Sequence, residues 1–129
     1  MTPRLLLDTN ALLWWLDNRS RLNAAARAAI SAPGTAVFVS AASVWEATIK
    51  KMLGKLSIPD DLEGAIATSG FTGLPITLAH AAAIEALPLL HRDPFDRLLV
   101  AQARAEGLTL VTADAALALY GIDVLMAAA

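Results

Sequence analysis

Asp8, Glu46, Asp96 and Asp114 each stand just beyond an apolar, strand-like run or at a helix start: Asp8 follows Arg4-Leu5-Leu6-Leu7, Glu46 follows Thr35 to Ser43, Asp96 lies within His91 to Arg97, and Asp114 follows Leu108 to Thr112. If the runs are parallel strands of one sheet, their carboxyl ends share an edge where all four acids collect. Carboxylates brought within a few ångströms raise one another's pKa, so several share a small site stably only when a cation offsets them. Oxygen donors in a chain without cysteine point to Mg²⁺ or Mn²⁺. Such an ion lowers the pKa of a bound water, orients it in line with a phosphodiester and neutralises the developing charge. Neither a Gly-rich phosphate loop nor a Ser nucleophile elbow is present, which leaves hydrolysis by activated water as the economical chemistry.

Each acid also has a purely structural role open to it. Asp8 can end a strand, Glu46 can pair with Lys50 at i+4, and Asp114 can cap a short helix. Asp93 fits the N-cap of a helix with Pro94 at its first position, which puts Asp96 at N3, where a carboxylate favours the helix dipole. Caps and surface pairs have no reason to gather at one sheet edge, so the conjunction carries the functional reading. Thr9, Asn10, Ser40, Ser43 and Thr112 adjoin the acids with groups able to orient carboxylates or water, or to cap helices. Neither His80 nor His91 has a metal-ligand partner at helical spacing, and both are expected to be structural.

The elements that must position these residues follow from periodicity. Strand-length apolar runs alternate with longer segments of helical period, a pattern of βαβ units around a parallel sheet. Strands are predicted near 4–7, 35–39, 74–77 and 109–111, with a short edge strand at 122–126. Helices are predicted at 11–16, 23–31, 41–53, 59–68, 78–86 and 94–106, and a short one from Ala115. Pro59 and Pro94 suit the first helical position, and Gly54 and Gly107 the residue past a helix end. In the third helix, Ala41, Val44, Trp45, Thr48, Ile49 and Met52 form an i, i+3, i+4, i+7 stripe expected to pack on the sheet, leaving Ser43 and Glu46 off it.

With 129 residues, the chain fits one domain, 1–129, able to bury a core without disulfides or structural metal. The absence of cysteine excludes zinc-thiolate sites and thiol nucleophiles. Asp8 and Asn10 interrupt the first apolar stretch, which a signal peptide would not tolerate, and no stretch reaches the roughly 18 uncharged apolar residues of a membrane span. A cytoplasmic protein is expected. The hydrophobic fraction of 57% is high for this size, which implies apolar surface meeting a partner. Net charge is −2, and setting aside four site carboxylates leaves +2, a mildly basic remainder compatible with nucleic acid although no Lys/Arg-rich run exists.

Four motifs, in order, now become recognisable: Leu6-Leu7-Asp8-Thr9-Asn10, Ser40-Ala41-Ala42-Ser43-Val44-Trp45-Glu46, Asp93-Pro94-Phe95-Asp96-Arg97 with the helix that follows, and Val111-Thr112-Ala113-Asp114. Together they resemble a PIN domain of the VapC type, the ribonuclease toxin of a bacterial or archaeal toxin-antitoxin pair, over nearly the whole chain. The resemblance implies a three-layer α/β/α fold with a mostly parallel sheet of four to five strands. It also implies a metal-dependent endoribonuclease with Asp8, Glu46, Asp96 and Asp114 around Mg²⁺ or Mn²⁺, leaving 5′-phosphate and 3′-hydroxyl ends and inhibiting translation or growth. Thr112 would help position the site, beside Thr9, Asn10, Ser43 and Asp93. Implied partners are a small antitoxin covering the site and apolar helices, and a second copy of the chain. The all-round apolar helix carrying Leu13, Trp14 and Trp15 is an independent pointer to docking. Lys50, Arg92 and Arg97 flank site residues and are candidates to contact RNA phosphates, as are Lys51 and Lys55.

Two other classes compete. A phosphotransfer aspartyl enzyme or receiver domain wants a second acid two residues after Asp8, where Asn10 stands, and a late basic residue, whereas no lysine follows Lys55. A catalytically silent PIN-like protein-binding module would keep the fold and the apolar helices but be indifferent to Asp8→Asn.

Overall fold

The structure, a computed structural model, describes residues 3–17 and 21–128. Five strands form one parallel sheet in the order β3-β2-β1-β4-β5: β1 Arg4–Leu7, β2 Ala36–Ser40, β3 Thr72–Leu74, β4 Thr109–Thr112 and β5 Val124–Met126. The helices are α1 Thr9–Leu16, α2 Ala24–Ser31, α3 Ala41–Met52, α4 Leu62–Thr68, α5 Leu78–Ala83 and α6 Pro94–Glu106, with 3-10 turns at Ile84–Ala86 and Ala115–Tyr120.

Central β1 is buried on both faces, which its Leu-Leu-Leu run satisfies as parallel strands require. Alternation then divides the core: Leu5, Leu7, Val39 and Val111 pack with α1, α2 and α4 on one side, while Leu6 and Leu110 pack with α6 on the other. This is the expected α/β/α sandwich. The chain builds β2 and β3 on one side of β1 and then returns to place β4 on the other, so the strand order reverses between β1 and β4. At such a switch point the connecting segments diverge and open a crevice beyond the carboxyl ends of the strands.

Most boundaries fall within a few residues of expectation, and the departures have local causes. β3 ends at Leu74 instead of running through 77, because Pro75 has no N–H for the ladder. α4 starts at Leu62 rather than Pro59, since Asp61 Oδ1 accepts from the Gly64 amide at 2.9 Å and supplies the N-cap. The helix predicted over 78–86 tightens into a 3-10 turn at Ile84–Ala86 before the extended residue that precedes Pro88.

The larger correction concerns the face of α3. Its buried residues are Ala42, Ser43, Glu46 and Ala47, whereas Trp45, Met52 and Leu53 are 58%, 80% and 63% exposed. Of the stripe expected on the sheet, Ala41, Trp45, Thr48 and Met52 face outward, while Val44 stays half-buried against the core. Ser40 is both the last residue of β2 and the N-cap of α3, its Oγ accepting from the Ala42 amide at 3.0 Å. With no intervening loop, the strand dictates the phase of the helix. α3 packs against α1, α6 and β2, and its buried face there is made of small or site-directed side chains.

Candidate active site at the sheet switch point

Asp8 follows β1 and caps α1, its Oδ1 accepting from the Ala11 amide at 2.7 Å. Its own amide donates to the Val111 carbonyl at 3.0 Å, so the residue is stitched to β4. Burial pushes the Asp8 carboxyl above its ordinary value; hydrogen bonds with Thr112 and Ala11 oppose the shift, and the charges of Glu46 and Asp114 add to it.

Glu46 is buried on the inner face of α3. Thr9 Oγ1 donates to its Oε1 at 2.6 Å, and Lys50 Nζ lies 3.0 Å from its Oε2, so the i+4 pair expected from sequence forms at the rim of the crevice. Asp96 occupies N3 of α6, where Asp93 Oδ1 caps the Phe95 and Asp96 amides at 2.8 and 3.3 Å with Pro94 at N1. Burial and the charge of Asp93 push Asp96 up to about 7; His91 opposes them, and Asp8 and Glu46 add smaller increments. The electrostatic coupling of Asp96 to Asp8 and Glu46, and of Asp8 to Glu46 and Asp114, shows that the fold brings all four acids into one region.

Asp114 follows β4 and caps the 3-10 turn through Oδ1, which accepts from the Ala116 amide at 3.0 Å. Its amide donates to Thr112 Oγ1 at 3.1 Å, so the last residue of β4 holds the backbone of Asp114. Ser43 is fully buried, and its Oγ has no hydrogen-bond partner. Asn10 is exposed and faces a different place, a groove of about 860 Å³ that it lines with Leu13, Trp14, Leu16 and Ile58.

His91 is the residue that helical spacing missed. Its Nε2 lies 2.8 Å from Asp114 Oδ2 and 3.5 Å from Asp96 Oδ2, and ligand atoms of His91, Asp96 and Asp114 all fall within 4.8 Å of one another. The histidine comes from the loop before α6, where an i+3 or i+4 test has no purchase; its place two residues ahead of the Asp93-Pro94 helix start was the available signal. His80 does serve structure: it is buried, completes a capping box with Thr77 and bonds Glu106 at 2.9 Å.

The expected phosphate contacts separate. Arg97 is drawn inward, its guanidinium donating to the carbonyls of Ile84, Leu87 and Pro88 and to the Tyr120 hydroxyl. Lys50 is paired with Glu46, while Arg92 is exposed. In α1, Trp15 packs against Phe71 with ring centres 5.7 Å apart, whereas Leu13 and Trp14 line the groove.

The donor set fits a hard divalent cation. Carboxylates from four elements face one crevice, Asp8 and Asp96 are raised by burial and mutual repulsion, and Lys50 and His91 are the basic groups engaged with these acids among the described residues.

The model of the PIN domain matches residues 5–122. The chain belongs to the PIN domain family. PIN domains are nucleases, hydrolases by class, and generally use divalent metals. No curated protein sequence matches the chain. Among solved structures, this PIN domain is similar to a chain of VapBC2 from Rickettsia felis bound to a DNA fragment from their promoter, with TM-score 0.70, 14% identity, and coverage of 95% of this chain and 97% of that one. It is similar to a chain of FitAcB from Neisseria gonorrhoeae, with TM-score 0.66, 21% identity and coverage of 95% and 96%. A toxin-antitoxin complex from Klebsiella pneumoniae gives TM-score 0.60 at 22% identity, covering 85% and 86%. At these identities the likeness establishes the fold. No helix of the described residues is long and apolar enough to cross a membrane.

Proposed function

We propose that this PIN domain, taken as a single domain over 1–129, is a cytoplasmic Mg²⁺- or Mn²⁺-dependent endoribonuclease and the toxin of a toxin-antitoxin pair. The observation that supports it most is the convergence of Asp8, Glu46, Asp96 and Asp114 at the switch point, with Asp96 pushed up to about 7 among like charges. The cation would be held by these carboxylates and would supply activation of the attacking water and neutralisation of charge on the phosphodiester. The protein's own contribution is orientation. Thr9 fixes one oxygen of Glu46, Thr112 holds the Asp114 backbone, and Asp93 sets the start of α6 so that Asp96 points inward. Ser43, with its unpartnered buried hydroxyl, is available to a water or carboxylate at the site. Lys50 and Arg92 remain the phosphate-contact candidates.

The toxin assignment draws on the similar structures, which are toxin-antitoxin complexes. We place the antitoxin along the Leu13 and Trp14 groove, whose mixed lining of apolar side chains with Asn10, Asp17 and Arg21 suits an amphipathic partner helix. The outward face of α3 is the surface we assign to a homodimer.

The deciding experiment is incubation of purified, antitoxin-free protein with a mixed pool of structured RNAs in Mg²⁺, Mn²⁺ or EDTA, beside Asp8→Asn. Cleavage requiring both metal and Asp8, with 5′-phosphate ends, supports the ribonuclease. A folded, metal-loaded protein that leaves the whole pool intact would instead favour the catalytically silent binding module.

A further inference from the structure

We propose that His91 is a positioning residue for Asp114, held with a ring Nε2–H facing the carboxylate, and that it orients Asp114 without itself ligating the cation. This rests on the metal-dependent reading of the site. The Asp93 backbone amide can only donate, and it points at His91 Nδ1 at 3.1 Å. Nδ1 therefore offers its lone pair, and the ring hydrogen sits on Nε2, facing Asp114 Oδ2 at 2.8 Å. To ligate a metal, Nε2 would have to give up that hydrogen to Nδ1, setting it against the Asp93 N–H. The ring is thus locked as a donor.

Asp114 is consequently held at both oxygens, Oδ1 by the Ala116 amide at 3.0 Å and Oδ2 by His91. One acceptor direction on each oxygen is left for the site. The loop delivering His91 is itself clamped. Arg97 donates to the carbonyls of Ile84 at 3.2 Å, Leu87 at 3.4 Å, Pro88 at 2.9 Å and His91 at 3.5 Å, and to the Tyr120 hydroxyl at 3.3 Å. Tyr120 ends the same 3-10 turn that Asp114 caps. Arg97, the His91 loop and the Asp114 turn form a closed circuit that sets imidazole against carboxylate. Asp93 gains a second role through its backbone, beside the cap its side chain provides.

Two measurements on the antitoxin-free full chain test this. Histidine ¹⁵N spectra report which ring nitrogen carries hydrogen, with and without saturating Mg²⁺. His91 should keep its hydrogen on Nε2 in both, and a bare Nε2 appearing with Mg²⁺ overturns the proposal. Calorimetric Mn²⁺ titration of His91→Ala and His91→Gln follows. Removing an outer partner of a ligand weakens metal binding by roughly 10- to 100-fold, so His91→Ala should lose affinity in that range. It should lower kcat while leaving the KM for RNA within about twofold, and His91→Gln, whose amide can donate from a similar reach, should recover most of the loss. Wild-type Mn²⁺ affinity in a folded His91→Ala protein overturns the proposal, as does a loss that glutamine fails to restore. If His91→Ala does not fold, the glutamine variant and the spectra still decide. Wild-type protein that binds Mn²⁺ but cleaves no RNA defeats the ribonuclease reading alone, because the calorimetry stands without it, whereas absence of wild-type Mn²⁺ binding defeats both.

Discussion

The Asp8 amide donates to the Val111 carbonyl at 3.0 Å, so the first acid of the site is tied directly to the strand whose end presents Asp114. That bond extends the β1–β4 ladder one residue beyond β1, into the crevice where the strand order reverses. Two acids more than 100 residues apart in sequence are thereby held across one hydrogen-bonded strand pair.

Replacement of Asp8 by asparagine keeps an oxygen that can cap α1 and removes the charge. Metal-dependent RNA cleavage should fall by about 10²- to 10³-fold, the range seen when one electrostatic stabiliser is lost, while the circular dichroism spectrum is unchanged. Asp8→Asn protein that cleaves at the wild-type rate would move the catalytic site elsewhere.

Asp96 predicts how metal-free stability depends on pH. Its ordinary value is 3.8 and its folded value about 7, so below pH 3.8 both states hold the proton and the stabilising difference is fully present. As pH rises toward 7 the unfolded chain releases its proton while the native state keeps it; stability falls through this window and the contribution is gone above it. The gap corresponds to at most about 4 kcal/mol, and Asp8, raised in the same sense, adds to it. Thermal melts in EDTA should show Tm declining between pH 4 and 7, restored by Mg²⁺ at pH 7.5. Asp96→Asn should flatten the profile and melt higher than wild type in EDTA at pH 7.5.

Arg97 should behave as a brace. Its donors satisfy carbonyls of the 3-10 turn at Ile84 and of Leu87 and Pro88 after it, and lysine cannot reproduce that planar fork. Both Arg97→Ala and Arg97→Lys are expected to lower stability, by about 2 to 3 kcal/mol for alanine, measured by urea unfolding. Arg92→Ala should instead leave stability within about 0.5 kcal/mol and weaken RNA binding, reducing its salt slope by roughly one.

The orientation of α3 is testable by packing. Ala47 is fully buried, so Ala47→Leu should overpack the helix interface and cost about 1 to 3 kcal/mol. Met52→Ser, on the exposed face, should change stability by less than about 0.5 kcal/mol. The reverse ranking in chemical denaturation would restore the stripe predicted from periodicity.

Much of this protein is determined by the sequence alone. The Leu-Leu-Leu run of β1, the alternation of strands with helical segments and the Pro94 and Gly107 punctuation specify a parallel α/β sheet, because each rests on local sterics or on burial of one short element. The motifs around Asp8, Glu46, Asp96 and Asp114 are likewise local, since each acid sits where a strand ends or a helix begins. Tertiary structure decided the rest. The loopless junction at Ser40 turned α3 so that Trp45 and Met52 of its apolar stripe face outward and Glu46 is buried toward the site, a phase that amphipathicity cannot reveal when function occupies the inner face. The clamp of Arg97 brought His91 to Asp114 from a loop, through contacts with no sequence period to betray them. Periodicity reports how an element repeats; which partner each face meets depends on where the chain returns, and only the folded sheet settles that.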